Sequence, residues 1–134
     1  MKTQDCTPGE ARRRLLAAHK FLEAAELFLD DPDPEGRRVA VSNAVHAGIA
    51  AADAICCVRL GRHAVGDDHR SATELVRKTG PGGADAARAL TTLLGLKSKA
   101  QYQIGVIGRT DATSAVRRAR SLVEHADKVV FAAT

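Results

Sequence analysis

Aromatic side chains are scarce in this chain: three Phe, one Tyr and no Trp in 134 residues. That excludes a core of stacked rings, and it excludes a nucleic-acid platform of several stacked aromatics. Cysteine is scarce too. Cys6, Cys56 and Cys57 form an odd count with one adjacent pair, which is no disulfide framework. Cys56 and Cys57 lie in an apolar stretch and read as small core residues. There is no CxxC and no Cys/His spacing suited to zinc, so neither a metal nor a cofactor is expected. Met1–Glu10 has no apolar signal core, and no run reads as long enough to span a bilayer. The expectation is a cytoplasmic chain with no membrane association. Also missing are a Walker loop, a GxGxxG before a helix, an HExxH and a nucleophile elbow. Gly80–Gly83 is a turn and not a phosphate cradle, since no Lys–Ser/Thr pair follows it.

What is present is alanine, leucine and valine. Hydrophobic residues make up 45% and charged residues 27%, a globular balance. The length suits a single domain, 1–134. Alanine and leucine favour helix, and alanine lets helices approach closely. The net charge of +4 permits an anionic partner without requiring one, because acidic residues are interspersed among the basic ones.

Helix signals divide the chain. Thr7 and Glu10 have capping-box spacing with Pro8 at the first helical position. Leu15, Ala18, Leu22, Ala25 and Leu29 then repeat at helical spacing. Asp33 can cap a second helix, with Pro34 at its first position, running to Leu60 and ended by Gly61. Its content of small residues, from Ala40 to Ala54, marks it as the central, most buried helix. Asp68 can cap a short third helix with Ala72, Leu75 and Val76. The Gly80–Gly83 segment breaks the chain before a fourth helix, from Ala84 towards Lys99. Gln101–Arg109 reads as an ordered loop. Thr110 or Asp111 caps a last helix with Ala115, Ala119, Leu122, Ala126 and Val129 inward and Arg117, Arg118, Arg120 and Lys128 outward. No strand is convincing. The expected fold is all-α, an antiparallel four- to five-helix up-and-down bundle.

Three features can carry chemistry. Asn43, His46 and Asp53 form a polar stripe on one side of the second helix, lining either a pocket or an interface. A carboxylate inside a bundle needs a partner, and Arg62, His69 and Lys97 are candidates for Asp53. The alternative is that Asp53 fixes the bundle through a salt bridge or faces water. Leu93–Tyr102 carries Lys97, Lys99 and the only tyrosine. The lysines can contact phosphate and the ring can stack on a base. The alternative is a helix end with lysines answering the dipole. Finally, Arg62, His63 and Gly66–Arg70 sit beside the end of the central helix, as a binding edge or as capping and solvation.

From the second helix onward the pattern resembles the HEPN superfamily of helical-bundle domains. The likeness rests on the Ala-rich helix Ala44–Cys57 and on Asp68–His69–Arg70. It also rests on Lys97–Ser98–Lys99–Ala100–Gln101–Tyr102, similar to that family's basic–x–x–Ala–polar–Tyr signature. The last element is Asp111–Ala115 opening a closing helix with Ala119 and Val123. It resembles in particular the short stand-alone HEPN proteins of high-GC bacteria. The resemblance implies a HEPN-like bundle that forms a homodimer, and a toxin–antitoxin or defence-type setting. An antitoxin or nucleotidyltransferase would be its partner protein. Catalytic members carry Arg, four to six residues, then His near the position of Lys97–Tyr102. Here Lys97 stands in the arginine's place and no His follows. Arg14–His19, Arg62–His69 and Arg120–His125 have similar spacing elsewhere. The resemblance thus implies an RNA- or nucleotide-binding module without ribonuclease activity, with Asp53, Arg62, His69, Lys97, Lys99 and Tyr102 at the ligand. One alternative is a metal-independent endoribonuclease toxin using His69 and Lys97. Another is a protein-interaction module whose surfaces are the second and last helices.

Overall fold

The computed structural model describes residues 1–66, 69–102 and 104–133, with Tyr102 described in its backbone only. Among these residues are five helices and one small ribbon: β1 (Thr3–Asp5), α1 (Pro8–Phe28), α2 (Pro34–Leu60), β2 (Arg62–Ala64), α3 (His69–Arg77), α4 (Gly83–Tyr102) and α5 (Arg109–Ala132). The fold is an all-α helical bundle.

Local chemistry sets the helix ends. The Glu10 amide donates to Thr7 Oγ1 at 3.1 Å, and the Thr7 amide donates to the Glu10 carboxylate at 3.0 Å. This reciprocal pair satisfies two of the amides that a helix start leaves without partners. Asp33 accepts from the Glu35 amide at 2.9 Å and starts α2. Gly61 closes α2 at φ 72°, a left-handed conformation that a side chain would disfavour.

Side-chain contacts give the directions of the helices. Arg14 meets Asp53 and Phe21 meets His46, so α1 and α2 run antiparallel. His19 meets Asp127 and Glu26 meets Arg120, so α5 runs antiparallel to α1. Gly48 lies against Leu93, and Arg38 bonds the Ala100 carbonyl, so α4 runs antiparallel to α2. The result is an up-and-down arrangement with short α3 packed on α4 and α2.

α2 is the central helix, as its composition suggested. Ala40, Ala44, Ala47, Ala50, Ala51 and Ala54 are all fully buried. Small side chains allow α4 and α5 to approach its axis. At Gly48 the approach is closest: a Cβ there would lie 2.5 Å from Leu93 Cδ1 and 3.3 Å from Leu122 Cδ1. Both leucines are buried and have no free volume to move into. Gly48→Val is therefore expected to destabilise the fold by about 1–3 kcal/mol, read from urea unfolding.

The connections are held by arginines. Arg37 Nε donates to the Ile107 carbonyl at 2.9 Å, and Arg38 donates to the carbonyls of Ala100 and of Gly105, the latter at 2.6 Å. These bonds order the connection between α4 and α5, where buried Ile107 plugs into the core. Arg59 Nη1 reaches the Thr79 carbonyl at 3.2 Å and holds the glycine turn. Within that turn Gly82 has φ 84°, and a Cβ on it would lie 2.4 Å from the His125 ring.

Several expectations are corrected. Cys57 is not an inert core thiol: it forms a disulfide with Cys6, Cα–Cα 5.5 Å. Two strands exist, β1 pairing antiparallel with β2 with Thr3 opposite Ala64 and Asp5 opposite Arg62. Three-residue strands are too short to show an alternating pattern. α4 continues to Tyr102, through part of the segment read as a loop. α5 begins after Gly108, not at a Thr110 or Asp111 cap, and no side chain bonds its start. α2 is, by length and composition, apolar enough to cross a membrane, but 72% of that window is buried inside the bundle. The Asp68 cap lies outside the described residues.

Candidate ligand-binding site

Asp53 sits on the α2 face turned towards α1, 7% exposed. Arg14 Nη2 donates to its Oδ2 at 2.9 Å. Burial pushes the Asp53 carboxyl above its ordinary range; Arg14 pulls it back, with smaller contributions from His63 and His69. The partner that sequence reasoning sought among Arg62, His69 and Lys97 is thus Arg14, one helix earlier. Antiparallel packing of α1 on α2 brings the two together across 39 residues.

The other two residues of the polar stripe make local contacts. Asn43 Nδ2 bonds the Val39 carbonyl of its own helix at 3.0 Å. His46 is exposed and its ring lies 5.2 Å from that of Phe21. Of the three, Asp53 lines the cavity described next, while His46 stays exposed beside Phe21 of α1.

Arg14 and Asp53 line a cavity of about 390 Å³ together with His63, Gly66 and His69. The β1–β2 ribbon supplies one wall. It is pinned by the Cys6–Cys57 bond and by the Val65 amide donating to the Lys2 carbonyl at 3.0 Å. Cys56, adjacent to Cys57, faces the core instead. Burial pushes its thiol up to about 12, with Asp53 adding to the rise and Arg62 opposing it. Such a thiol is unreactive at neutral pH.

A second cavity, about 470 Å³, shares His69 with the first. It lies between α3 and α4 and is lined by Arg70, Thr73, Thr91, Lys97, Ser98 and Gln101, among others. Three of its described lining residues are basic or imidazole and none is acidic. Thr91 Oγ1 donates to the Ala87 carbonyl at 2.9 Å, so that hydroxyl is oriented to accept from a ligand rather than donate. Gly95 keeps the wall low: a Cβ there would have nothing within 4 Å. Among the described residues no His/Cys/Asp/Glu group has a metal-binding arrangement.

The expected site residues separate into two sets. His69 and Lys97 line one cavity, and Asp53 and His69 line the next. Arg62 lies exposed on β2 opposite Asp5 and is not part of either lining. Lys99 turns towards α5, where Nζ lies 2.7 Å from Asp111 Oδ2. The reason is that α4 stays helical here: residues two apart sit about 200° apart on a helix, so Lys97 and Lys99 face opposite ways. The Tyr102 side chain lies outside the described residues, as do Asp67 and Asp68. The other Arg/His spacings serve packing: His19 bonds Asp127 at 2.7 Å, and His125 lies under Gly82. Burial lowers the His125 pKa, with Arg59 and Lys128 acting in the same direction.

Fold and cavities together define an all-helical bundle with a basic cleft beside an Arg14–Asp53 ion pair whose carboxylate is buried. No family model matches the chain, and no curated protein matches it in sequence.

Proposed function

We propose that this chain is a HEPN-like module that binds RNA or a nucleotide through the cleft between α3 and α4, with the phosphate beside Lys97, Arg70 and His69. The observation that carries this is the lining: two cationic side chains, an imidazole and several hydroxyl and amide groups around one open cavity of nucleotide-compatible size, about 470 Å³. Phosphate contacts from Lys and Arg supply affinity that falls with salt. With Arg62 outside and Lys99 paired elsewhere, the proposed ligand-binding set is His69, Arg70, Lys97, Ser98 and Gln101, with Asp53 in the neighbouring cavity and Tyr102, whose side chain lies outside the described residues, kept from the sequence reading.

The test is fluorescence anisotropy against mixed single-stranded RNA and against free nucleotides at two salt concentrations. Lys97→Gln is expected to weaken binding about tenfold and to reduce the salt slope by about one unit. Gly95→Leu is expected to fill the cleft and abolish binding while leaving the fold intact, because space is open there and leucine favours helix over glycine. No binding of either ligand at low salt would remove this reading and leave a module that acts through protein contacts alone.

One observation favours a second reading, an endoribonuclease of toxin type. His69 and Lys97 line the same cavity, as a metal-independent cleavage would need: the imidazole to take the 2′-hydroxyl proton and the ammonium to stabilise the scissile phosphate. A gel of the titration samples decides between the two. Cleavage products that disappear with His69→Ala would establish the enzyme; intact RNA would leave the binding module.

A further inference from the structure

The segment before α1 is fastened to the bundle by one covalent link. α1 starts on its own capping box, Thr7 with Glu10, so the helix does not depend on what precedes it. β1 puts nothing into the core: Gln4 and Asp5 are exposed and Thr3 is half-buried. Backbone bonds join the segment to its neighbours, with Val65 donating to the Lys2 carbonyl and Cys6 to the Gly61 carbonyl. Two short strands alone are marginal in water. The Cys6–Cys57 bond is what ties the segment to the end of α2.

Behind the ribbon lies a cavity. His63, Ala64, Val65 and Gly66 form one wall of it, facing Arg14, Asp53 and His69. Among the described residues β1 is the only strand partner of β2. β2 in turn packs on α3, which opens with His69. His69 also lines the cleft between α3 and α4. A chain of contacts therefore runs from the disulfide, through the ribbon, to the imidazole that both cavities share.

We propose that the Cys6–Cys57 disulfide is a redox-operated strap: intact, it holds the β1–β2 ribbon across the Arg14–Asp53 cavity and fixes His69; reduced by a dithiol, it releases β1, opens the cavity and loosens His69. The two sulfurs differ in access, Cys6 being half-buried and Cys57 4% exposed. A thiolate of the dithiol attacks Cys6 Sγ, and Cys57 leaves as a thiolate that takes up a proton. The second thiolate of the dithiol then attacks the sulfur joined to Cys6. It closes a cyclic disulfide and expels the Cys6 thiolate, which is protonated in turn. Two electrons and two protons pass to the protein. Cys56 takes no part, because it is buried and burial keeps its thiol protonated. The device thus has two states, and reoxidation returns the first.

Carbethoxylation of the histidines by diethyl pyrocarbonate, read by mass spectrometry on the full chain with and without dithiothreitol, tests the proposal. His63 and His69 are half-buried in the oxidised chain and are expected to react several-fold faster after reduction. His19, His46 and His125 line no part of this cavity and should keep their rates. Cys6→Ser should label like the reduced chain and should not respond to dithiothreitol. Cys56→Ser keeps the bond and should respond like wild type. Helical circular dichroism should persist in every state. Anisotropy titrations of both states add the effect on the cleft: weaker RNA or nucleotide binding after reduction is expected, an arm that rests on the function proposed above. Binding in neither state would count against that function, and labelling would still decide the strap. Unchanged labelling of His63 and His69, with Cys6 and Cys57 both shown free by alkylation, would overturn the proposal. So would faster labelling of all five histidines with loss of helical signal, since the bond would then hold the whole fold.

Discussion

Reducing the Cys6–Cys57 bond, or replacing Cys6 by Ser, is expected to lower the unfolding free energy by about 4 kcal/mol. The bond closes a loop of 51 residues, and a cross-link of that span removes about this much chain entropy from the unfolded state. The segment it holds is small. β1 contributes three residues to a two-stranded ribbon, and a lone pair of short strands is marginal in water. Urea unfolding with and without reductant measures the effect, with Cys56→Ser as a control that keeps the bond. Amide exchange at Cys6 and Val65, which donate to the carbonyls of Gly61 and Lys2, should quicken on reduction. An unchanged unfolding midpoint with Cys6 and Cys57 both shown free by alkylation would mean that the ribbon holds without its cross-link.

Arg14→Met is expected to destabilise the fold by about 2 kcal/mol, whereas Asp53→Asn should be close to neutral at pH 7. The asymmetry follows from burial. The Asp53 side chain is 10% exposed and Arg14 39% exposed. Without Arg14, a buried carboxylate loses its charge-assisted hydrogen bond. Without the carboxylate charge, Arg14 can still reach water, and the Asn amide oxygen can still accept its bond. The two changes also differ with pH. Asp53 has its carboxyl raised above the ordinary 3.8 in the folded chain. Its favourable contribution is therefore fully present below the unfolded pKa and is lost as pH rises through the higher folded value. Asp53→Asn should remove this component, so that wild type gains stability relative to the variant on acidification through that window. If instead wild type loses stability relative to the variant there, Arg14 outweighs burial and the direction assigned to Asp53 is wrong.

How far the sequence reached depends on distance along the chain. The starts of α1 and α2 were legible because the Thr7–Glu10 and Asp33–Glu35 bonds span three and two residues. The end of α2 was legible because only glycine suits a positive φ there. Alanine and leucine spacing identified the buried faces of α2 and α5. Among the residues lining the two cavities, His69, Lys97 and Asp53 were named beforehand, since each is an ionisable side chain close to a helix end or on an apolar face. What failed needed knowledge of a neighbouring helix. Arg14 looked like one arginine among many until α1 lay antiparallel on α2. Cys6 looked unpaired for the same reason, although the short connection from α1 to α2 already implied that residues just before α1 lie beside the end of α2. Lys97 and Lys99 were read together as one basic pair although both lay on the expected fourth helix, where residues two apart face opposite ways, and the neighbour that takes up Lys99, Asp111, comes from α5.

The sequence by itself determined an all-helical bundle, the identity of its central helix and the residues able to carry charge near one cleft, because propensity, capping and periodicity act within a few residues. Only the tertiary structure decided which of those charges meet. Helix packing selected Arg14 for Asp53, turned Lys99 away to Asp111, left Arg62 outside and joined Cys6 to Cys57, because such pairings depend on how two helices are set against each other.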